Sequence, residues 1–221
     1  MVRKTMKSEK FNHVMLLACA ALGLSAIFII VAFTTPYWLV SDGLAPVEKF
    51  QKLGLWEACF KHFVDINYRY DREFHGCKWI FDEDYNFIQN FLTPPFFVAV
   101  QVLFTLGLVC LILACLVLMV FTLCLVSDKE VLVLKLLGSL ALASGILSTI
   151  AVITFGANGD ERNWMPDPDH NHLSWSFGVA IVGALFEMVA GVLFFIESHL
   201  AQRRHKDRNQ QVFTLNQVSK A

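Results

Sequence analysis

The chain carries little charge for its length. Asp, Glu, Lys and Arg make up 17% of its 221 residues, whereas apolar residue types make up 56%. The mean hydropathy of +0.53 is too high for a soluble domain of this size, so that class is excluded. The sequence also has no N-x-Ser/Thr acceptor, and N-glycosylation is therefore not expected.

Motifs of catalytic sites are missing as well. There is no P-loop, no G-x-Ser-x-G turn, no zinc-protease histidine pair and no pair of carboxylates where an active site could exclude water. We therefore predict that the protein is not an enzyme. We assign no catalytic, cofactor-binding or metal-binding residue, and we expect neither nucleic acid nor a small-molecule substrate as a ligand.

Long apolar segments are what the chain does contain. Four are long enough for a helix to cross a hydrocarbon core of ~30 Å, and they cover residues 14–35, 95–126, 131–157 and 175–196. The second is longer than a bilayer requires, so it should tilt or project into water. The first follows a basic start and could be a signal peptide, but its length favours a retained anchor.

Lys and Arg residues cluster near both ends of the chain. Residues 1–13 contain four of them and residues 197–221 contain five, which predicts that both termini are cytoplasmic. Four spans then place residues 36–94 and 158–174 outside, with a short inner loop at residues 127–130. The two outer loops together have a net charge of −6, so the outer surface is acidic.

Cysteine positions agree with this topology. Of the six cysteines, only Cys59 and Cys77 lie outside the apolar segments, on the side expected to be oxidising. Their pairing should favour the folded state by about 3 kcal/mol in the chain-entropy model; the alternative is two free thiols. Cys124, close to the cytoplasmic boundary, is a candidate either for S-acylation or for core packing.

The first outer loop has the pattern of a small antiparallel sheet. Short aromatic and β-branched runs cover residues 37–40, 53–60 and 77–81, with turn residues at Ser41-Asp42-Gly43 and His75-Gly76. Residues 82–91 then predict a short amphipathic helix before the second span. The polar tail after His199 is expected to be mobile or bound at the membrane surface.

One ionisable residue, Glu187, lies inside the fourth span, where a charge marks a functional hypothesis. Gly183 and Gly191 share its helical face, which is the kind of face that packs against another helix. A buried hydrogen bond to a neighbouring helix is the favoured interpretation; a proton or ion relay and a site near an outer vestibule are the alternatives. A second stripe of small residues predicts close packing of the third span: Gly138, Ala141, Gly145 and Ser148.

Histidines in the second outer loop offer a possible metal site. His170 and His172 lie beside Asp167 and Asp169, and imidazole and carboxylate are both metal ligands. This spacing is common by chance in a proline-containing loop. A solvated loop is therefore the favoured interpretation.

A set of aromatic, glycine and cysteine residues in the first outer loop resembles a known signature. Trp38, Gly54-Leu55-Trp56, Cys59 and Cys77 occur in the order of the W-GLW-C-C signature of the claudin superfamily, which includes the peripheral myelin and epithelial membrane proteins and the calcium-channel gamma subunits. The resemblance implies a membrane all-α four-helix bundle with a small extracellular antiparallel β-sheet joined by the disulfide. It also implies that the two indoles anchor the sheet at the membrane edge, with Gly54 permitting close backbone approach.

The resemblance also implies a function. It points to a structural component of a cell–cell junction at the lateral plasma membrane, required to assemble the paracellular diffusion barrier. Other junctional membrane proteins in cis or trans, a second copy of the chain, and the lipid bilayer are the expected partners. An auxiliary or trafficking subunit of an ion channel or receptor is the alternative, whereas a transporter would need more buried polar residues than Glu187.

Three departures from typical vertebrate claudins favour the divergent claudin-like proteins of invertebrate septate junctions. The interval from Cys59 to Cys77 is longer, and no arginine precedes the second span. The Ser219-Lys220-Ala221 segment matches a PDZ-binding motif poorly.

Overall fold

The computed structural model describes residues 13–44, 49–64, 73–124, 129–159 and 164–218, without the side chains of Cys124 and of residues 215–218. Several sequence-based expectations fall on the remainder. They concern the basic residues before position 13, Ser127-Asp128 of the inner loop, the Cys124 thiol and Ser219-Lys220-Ala221. These expectations lie outside the described residues and stay predictions.

Four of the described helices are long and apolar enough to cross a membrane. They are α1 (His13–Thr34), α3 (Pro95–Cys124), α4 (Glu130–Asn158) and α5 (Trp175–Val218), and a one-turn helix, α2 (Gln89–Leu92), precedes α3. A helix can cross a bilayer because its backbone groups bond within the helix. Helix α5 packs between α1 and α4, α4 also packs on α3, and a smaller contact between α1 and α3 closes the bundle.

Small residues on α4 allow α5 to come close. A Cβ at Gly138 would lie 2.8 Å from Cδ2 of Phe195, and a Cβ at Gly145 would lie 2.8 Å from Sδ of Met188. Both glycines are buried. We infer that they act in helix packing, because side chains at these positions would force the two helices apart.

The glycines of α5 face two different neighbours. A Cβ at Gly183 would lie 2.9 Å from Cδ1 of Ile29 on α1, whereas a Cβ at Gly191 would lie 2.6 Å from Cγ of Leu142 on α4. The single packing face expected from their spacing is therefore divided, since α5 lies between two helices and contacts both along its length.

Helix α5 continues far beyond the predicted span, in contrast to the mobile or membrane-surface tail expected after His199. It runs to Val218 without a break, because no glycine or proline interrupts its second half. Its 44 residues correspond to about 66 Å at the usual helical rise. Arg204 holds the extension in place, with Nη2 2.6 Å from Oε1 of Glu197 and 3.9 Å from Oε1 of Glu130 on α4.

Within the described residues, five antiparallel strands form one sheet at the end of the bundle opposite the α5 extension. They are β1 (Leu39–Ser41), β2 (Phe50–Leu53), β3 (Glu57–Val64), β4 (Glu73–Trp79) and β5 (Asn171–Leu173). Their order is β4-β3-β2-β1-β5. Strand β5 belongs to the second loop and pairs with β1, with Val40 opposite His172. Both loops therefore lie at the same end of the bundle, and the solvated loop expected around His172 is partly an edge strand.

The strand boundaries differ from the sequence-based ones in two places. Residues 53–60 are not one strand but the end of β2, a turn, and the start of β3, since the Gly54 amide donates to the Glu57 carbonyl at 2.8 Å. His75-Gly76 is not a turn either; it lies within β4, where Gly76 is opposite Phe60. The predicted turn after β1 is present, with the Leu44 amide donating to Oδ1 of Asp42 at 2.8 Å.

The segment between β4 and α3 is a short linker that covers the underside of the sheet. It contains a 3-10 helix, Glu83–Tyr85, and then α2, instead of the single amphipathic helix expected for residues 82–91. Tyr85 is buried there, donates its hydroxyl to the Ala58 carbonyl at 3.1 Å, and contacts Phe60 edge to face. Burial raises the pKa of the Tyr85 phenol above its ordinary value, so it remains a hydrogen-bond donor.

Replacement of Gly191 by alanine tests the packing of α5 on α4. The new Cβ would meet Cγ and the backbone nitrogen of Leu142 at 2.6 and 2.9 Å, and the backbone atom cannot rotate away. We expect Gly191→Ala to lower the free energy of unfolding by about 1–3 kcal/mol. The control is Gly178→Ala on the same helix, which would meet nothing within 4 Å. Thermal unfolding of the two variants in one detergent should separate them; equal melting temperatures would contradict the packing.

Candidate functional site

Gly54-Leu55-Trp56 forms the hairpin turn between β2 and β3 and attaches the sheet to the helices. A Cβ at Gly54 would lie 2.5 Å from Cα of Pro36 and 2.8 Å from the Thr35 carbonyl oxygen, so only glycine allows this approach. Leu55 is fully buried, and its carbonyl accepts a 2.7 Å hydrogen bond from Nε2 of Gln101 on α3. The turn is therefore fixed to two membrane helices.

Trp38 lies inside the protein and not at the lipid surface. It is 0% exposed, and its ring packs edge to face against Phe104, Phe155 and Phe177, with centroids 5.3, 5.0 and 5.8 Å away. The expected position at the membrane edge is thus wrong for Trp38. Its indole N–H donates to the Ala32 carbonyl at 2.8 Å instead of reaching water.

Proline chemistry explains why the Ala32 carbonyl needs this donor. In a continuing helix it would accept from the amide four residues later, but that residue is Pro36, which has no N–H. The Trp38 indole supplies the missing donor at 2.8 Å in a buried position. The tryptophan therefore completes the end of α1 while it holds β1 against the bundle.

Trp56, unlike Trp38, keeps part of its side chain exposed, although its indole nitrogen is buried and has no hydrogen-bond partner among the described residues. It is half-buried, with its ring 5.4 Å from that of Phe33 near the end of α1 and 6.4 Å from that of Phe81. Trp79 and Phe81 are exposed beside it. Such a group of aromatic side chains next to the end of a span is typical of a membrane interface. We infer that this group, and not Trp38, meets the bilayer surface.

A disulfide joins Cys59 of β3 to Cys77 of β4. The two residues are direct partners in the antiparallel register, which places their side chains on the same face of the sheet. Cys77 is exposed although Cys59 is buried, and Phe60 and Phe74 on the opposite face are both buried. The disulfide therefore lies on the outer face of the sheet, away from the helices.

The second loop is attached to the first by side chains that sequence reasoning did not identify. Trp164 is buried and donates its indole N–H to the Phe91 carbonyl at 3.0 Å. Nδ1 of His170 lies 3.1 Å from both carboxylate oxygens of Asp42. The Leu44 amide and then His170 hold the pKa of the Asp42 carboxyl below its ordinary value. A tryptophan in a short polar loop was the sequence signal for this attachment.

The metal site considered at His170 and His172 has no structural support in the described residues. His170 contacts Asp42, and His172 occupies the exposed side of the edge strand. A group of three ligand atoms lies instead on β3 and β4, at His62, Glu73 and His75. His62 Nδ1 is 2.6 Å and His75 Nε2 is 3.2 Å from the Glu73 carboxylate, and hydrogen bonds from His62 and then His75 lower the Glu73 pKa.

Glu187 is fully buried in the bundle, beside a serine and a glycine of neighbouring helices. Oγ of Ser144 on α4 lies 2.6 Å from Oε1 of Glu187 and 2.7 Å from the Gly107 carbonyl of α3. The Ser144 hydroxyl is the donor toward both oxygens, a carboxylate oxygen of α5 and a backbone carbonyl of α3. We therefore propose a structural role for Glu187, in which it links three helices.

The fold and these contacts agree with one protein family. The sequence profile of the PMP-22/EMP/MP20/Claudin tight junction family matches residues 23–196, which include the second part of the first span, the next two spans, the fourth span as predicted from the sequence, and both outer loops. The chain belongs to this family. A comparison with individually curated proteins finds no match. The protein is thus a structural membrane protein of the tight-junction type, and it belongs to a family of multi-pass, non-enzymatic proteins that interact with lipids and junctional membrane proteins.

Replacement of Trp38 by phenylalanine tests the link between the sheet and the bundle. Phenylalanine keeps an aromatic ring but leaves the Ala32 carbonyl without its donor. We expect Trp38→Phe to lower the free energy of unfolding by at least about 2 kcal/mol, from the unpaired carbonyl and the smaller ring. Trp79→Phe, at a position that is 57% exposed, should change it by no more than about 0.5 kcal/mol. Similar melting temperatures for both variants would contradict the assignment.

Two substitutions at Glu187 separate a structural hydrogen bond from a required charge. Glutamine keeps a side-chain oxygen that can accept from Ser144, so Glu187→Gln should unfold close to the wild-type temperature. Alanine removes the contact and leaves a gap, and Glu187→Ala should be less stable by about 1–3 kcal/mol. Thermal unfolding in detergent measures both. If glutamine destabilises the protein as much as alanine does, the ionised carboxylate is essential and the structural role is wrong.

Proposed function

We propose that this protein is a structural component of a septate-type cell–cell junction and is required to assemble the paracellular diffusion barrier. In this proposal both termini are cytoplasmic and the sheet faces the space between cells. Membership of the family supports a junctional role. The disulfide supports an outside location for the sheet, because disulfides persist in oxidising compartments.

The proposal is supported mainly by the way in which the sheet is attached to the helices. Strands from both loops form one sheet, and this sheet is fixed to the helices by Trp38, by the Gly54-Leu55-Trp56 turn and by Trp164. A surface held at so many points changes little when it binds, so it can meet a partner without the entropic cost of ordering a loop. A rigid surface presented at a fixed height above the membrane suits repeated contacts along a cell border.

Charge on the outer loops also bears on the mechanism. The loops have a net charge of −6, so two opposing copies repel each other at long range unless cations or basic partners intervene. This favours assembly with other junctional proteins over simple pairing of identical outer surfaces. Acidic loops would also favour cations over anions in any aqueous path that they line.

Depletion of the protein from an epithelium tests the proposal. We expect tagged protein at lateral borders, and we expect its depletion to let a small extracellular dextran cross the cell layer. Re-expression of the wild-type chain should restore the barrier. An intact barrier together with co-purification of one ion channel or receptor would instead support an auxiliary or trafficking subunit.

A matched pair of cysteine variants tests whether assembly of the barrier requires the disulfide-bonded outer sheet. Cys59→Ser removes the disulfide between β3 and β4 and should fail to reach the cell border, so it should not restore the barrier. Cys110→Ser changes a free cysteine of α3 and should restore it. Full rescue by both variants would show that the disulfide is dispensable for barrier assembly.

A further inference from the structure

The half of the β3–β4 hairpin that lies beyond the disulfide, called here its outer half, contains an irregularity in the strand pairing. This irregularity brings a group of polar side chains together on one face. Pairing is regular up to Phe60 opposite Gly76 and resumes with Phe63 opposite Phe74, so two residues of β3 lie opposite His75 alone. This is a β-bulge. The inserted residue His62 has a φ of 55°, in the left-handed region that few residues other than glycine adopt.

The bulge serves the packing below the sheet and changes the surface above it. Phe60 and Phe63 are three positions apart, and strict alternation would place them on opposite faces. With the bulge both are buried, with ring centroids 5.0 Å apart. His62 is consequently exposed on the outer face beside His75, and the two imidazole centroids are 4.7 Å apart.

Glu73 completes the group from the same face of β4. One carboxylate oxygen lies 2.6 Å from His62 Nδ1 and the other lies 3.2 Å from His75 Nε2. The three ligand atoms all lie within 4.8 Å of one another. In a tetrahedral zinc site with bonds of about 2.0–2.1 Å, ligand atoms are about 3.4 Å apart, so small side-chain movements suffice to enclose an ion.

The donor types indicate which ion fits. Two imidazole nitrogens and one carboxylate are ligands of borderline character that suit Zn²⁺, whereas Ca²⁺ and Mg²⁺ prefer oxygen ligands alone. A zinc ion bound to these two nitrogens would replace the contacts that they now make with the Glu73 oxygens. Three protein ligands leave a fourth position for water or for a donor from another molecule.

We propose that His62, Glu73 and His75 form a Zn²⁺ site that fastens the outer half of the β3–β4 hairpin. The disulfide joins the strands at Cys59 and Cys77, and the zinc ion joins them again farther along the hairpin from the Gly54-Leu55-Trp56 turn. The other group of potential ligands, Glu57 with Cys59 and Cys77, is not comparable, because both of its sulfur atoms are in the disulfide. The site lies within the extended interval between the two cysteines and does not depend on the proposed junctional function.

Zinc titration of the purified full-length protein tests the site. The protein is prepared in detergent without reductant, so that the disulfide stays closed, and with an affinity tag that contains no histidine. Competition with a chromophoric zinc chelator then gives the affinity and the number of ions bound. We expect His75→Ala and Glu73→Gln each to weaken the zinc affinity of one site by at least about tenfold.

His172→Ala is the matched control, because His172 is an exposed histidine on β5 of the same sheet and outside the group. It should bind zinc as the wild type does. Co²⁺ supplies a second readout, since a tetrahedral site gives an intense visible absorption that His75→Ala should lose and His172→Ala should keep.

Limited proteolysis shows whether the ion fastens the hairpin. Zinc should slow cleavage within the β3–β4 hairpin of the wild type and of His172→Ala, and it should have no effect on the His62→Ala/His75→Ala double variant. The proposal would be overturned if the wild type and the double variant bound zinc with the same affinity. The comparison requires a folded double variant, which its wild-type melting temperature in zinc-free buffer would show.

Discussion

The fold depends on the indole of Trp38, which contacts every membrane-spanning helix of the bundle. Its ring packs against Phe104 of α3, Phe155 of α4 and Phe177 of α5, and its N–H bonds to Ala32 of α1. Pro36 creates the need for that bond because it removes the backbone donor for the Ala32 carbonyl. One side chain thus sets the end of the first span and the height of β1. The remaining strands follow β1 by pairing.

The outer sheet is complete only when both loops contribute to it. β1 is an interior strand, paired with β2 on one side and with the edge strand β5 on the other, and each pairing covers backbone groups that would otherwise be an exposed edge. Trp164 and the contact between His170 and Asp42 hold the second loop in place. The relative positions of α1 and α5 are therefore coupled to the outer surface through the sheet as well as through the membrane.

Sequence patterns predicted the parts of this structure that depend on composition and local spacing. Four apolar spans, a sheet in the first loop and a disulfide follow from hydropathy, alternation and the count of cysteines. The pairing of β5 with β1 could not be predicted, because residues 171–173 have no strand pattern of their own. The burial of Trp38 was also missed, since an indole after a span is equally compatible with the lipid surface. The His62 bulge breaks the alternation on which strand prediction relies.

The outer sheet is held more tightly near the helix bundle than in the part of the β3–β4 hairpin beyond the disulfide. Near the bundle, the Gly54-Leu55-Trp56 turn and Trp38 leave little freedom, since Gly54 lies against the backbone of Pro36. Beyond the disulfide, the outer face of β3 and β4 carries exposed polar residues, among them His62, Glu73 and His75. Changes there do not alter how the sheet is anchored. New binding chemistry can therefore arise on this exposed face at a small cost to folding.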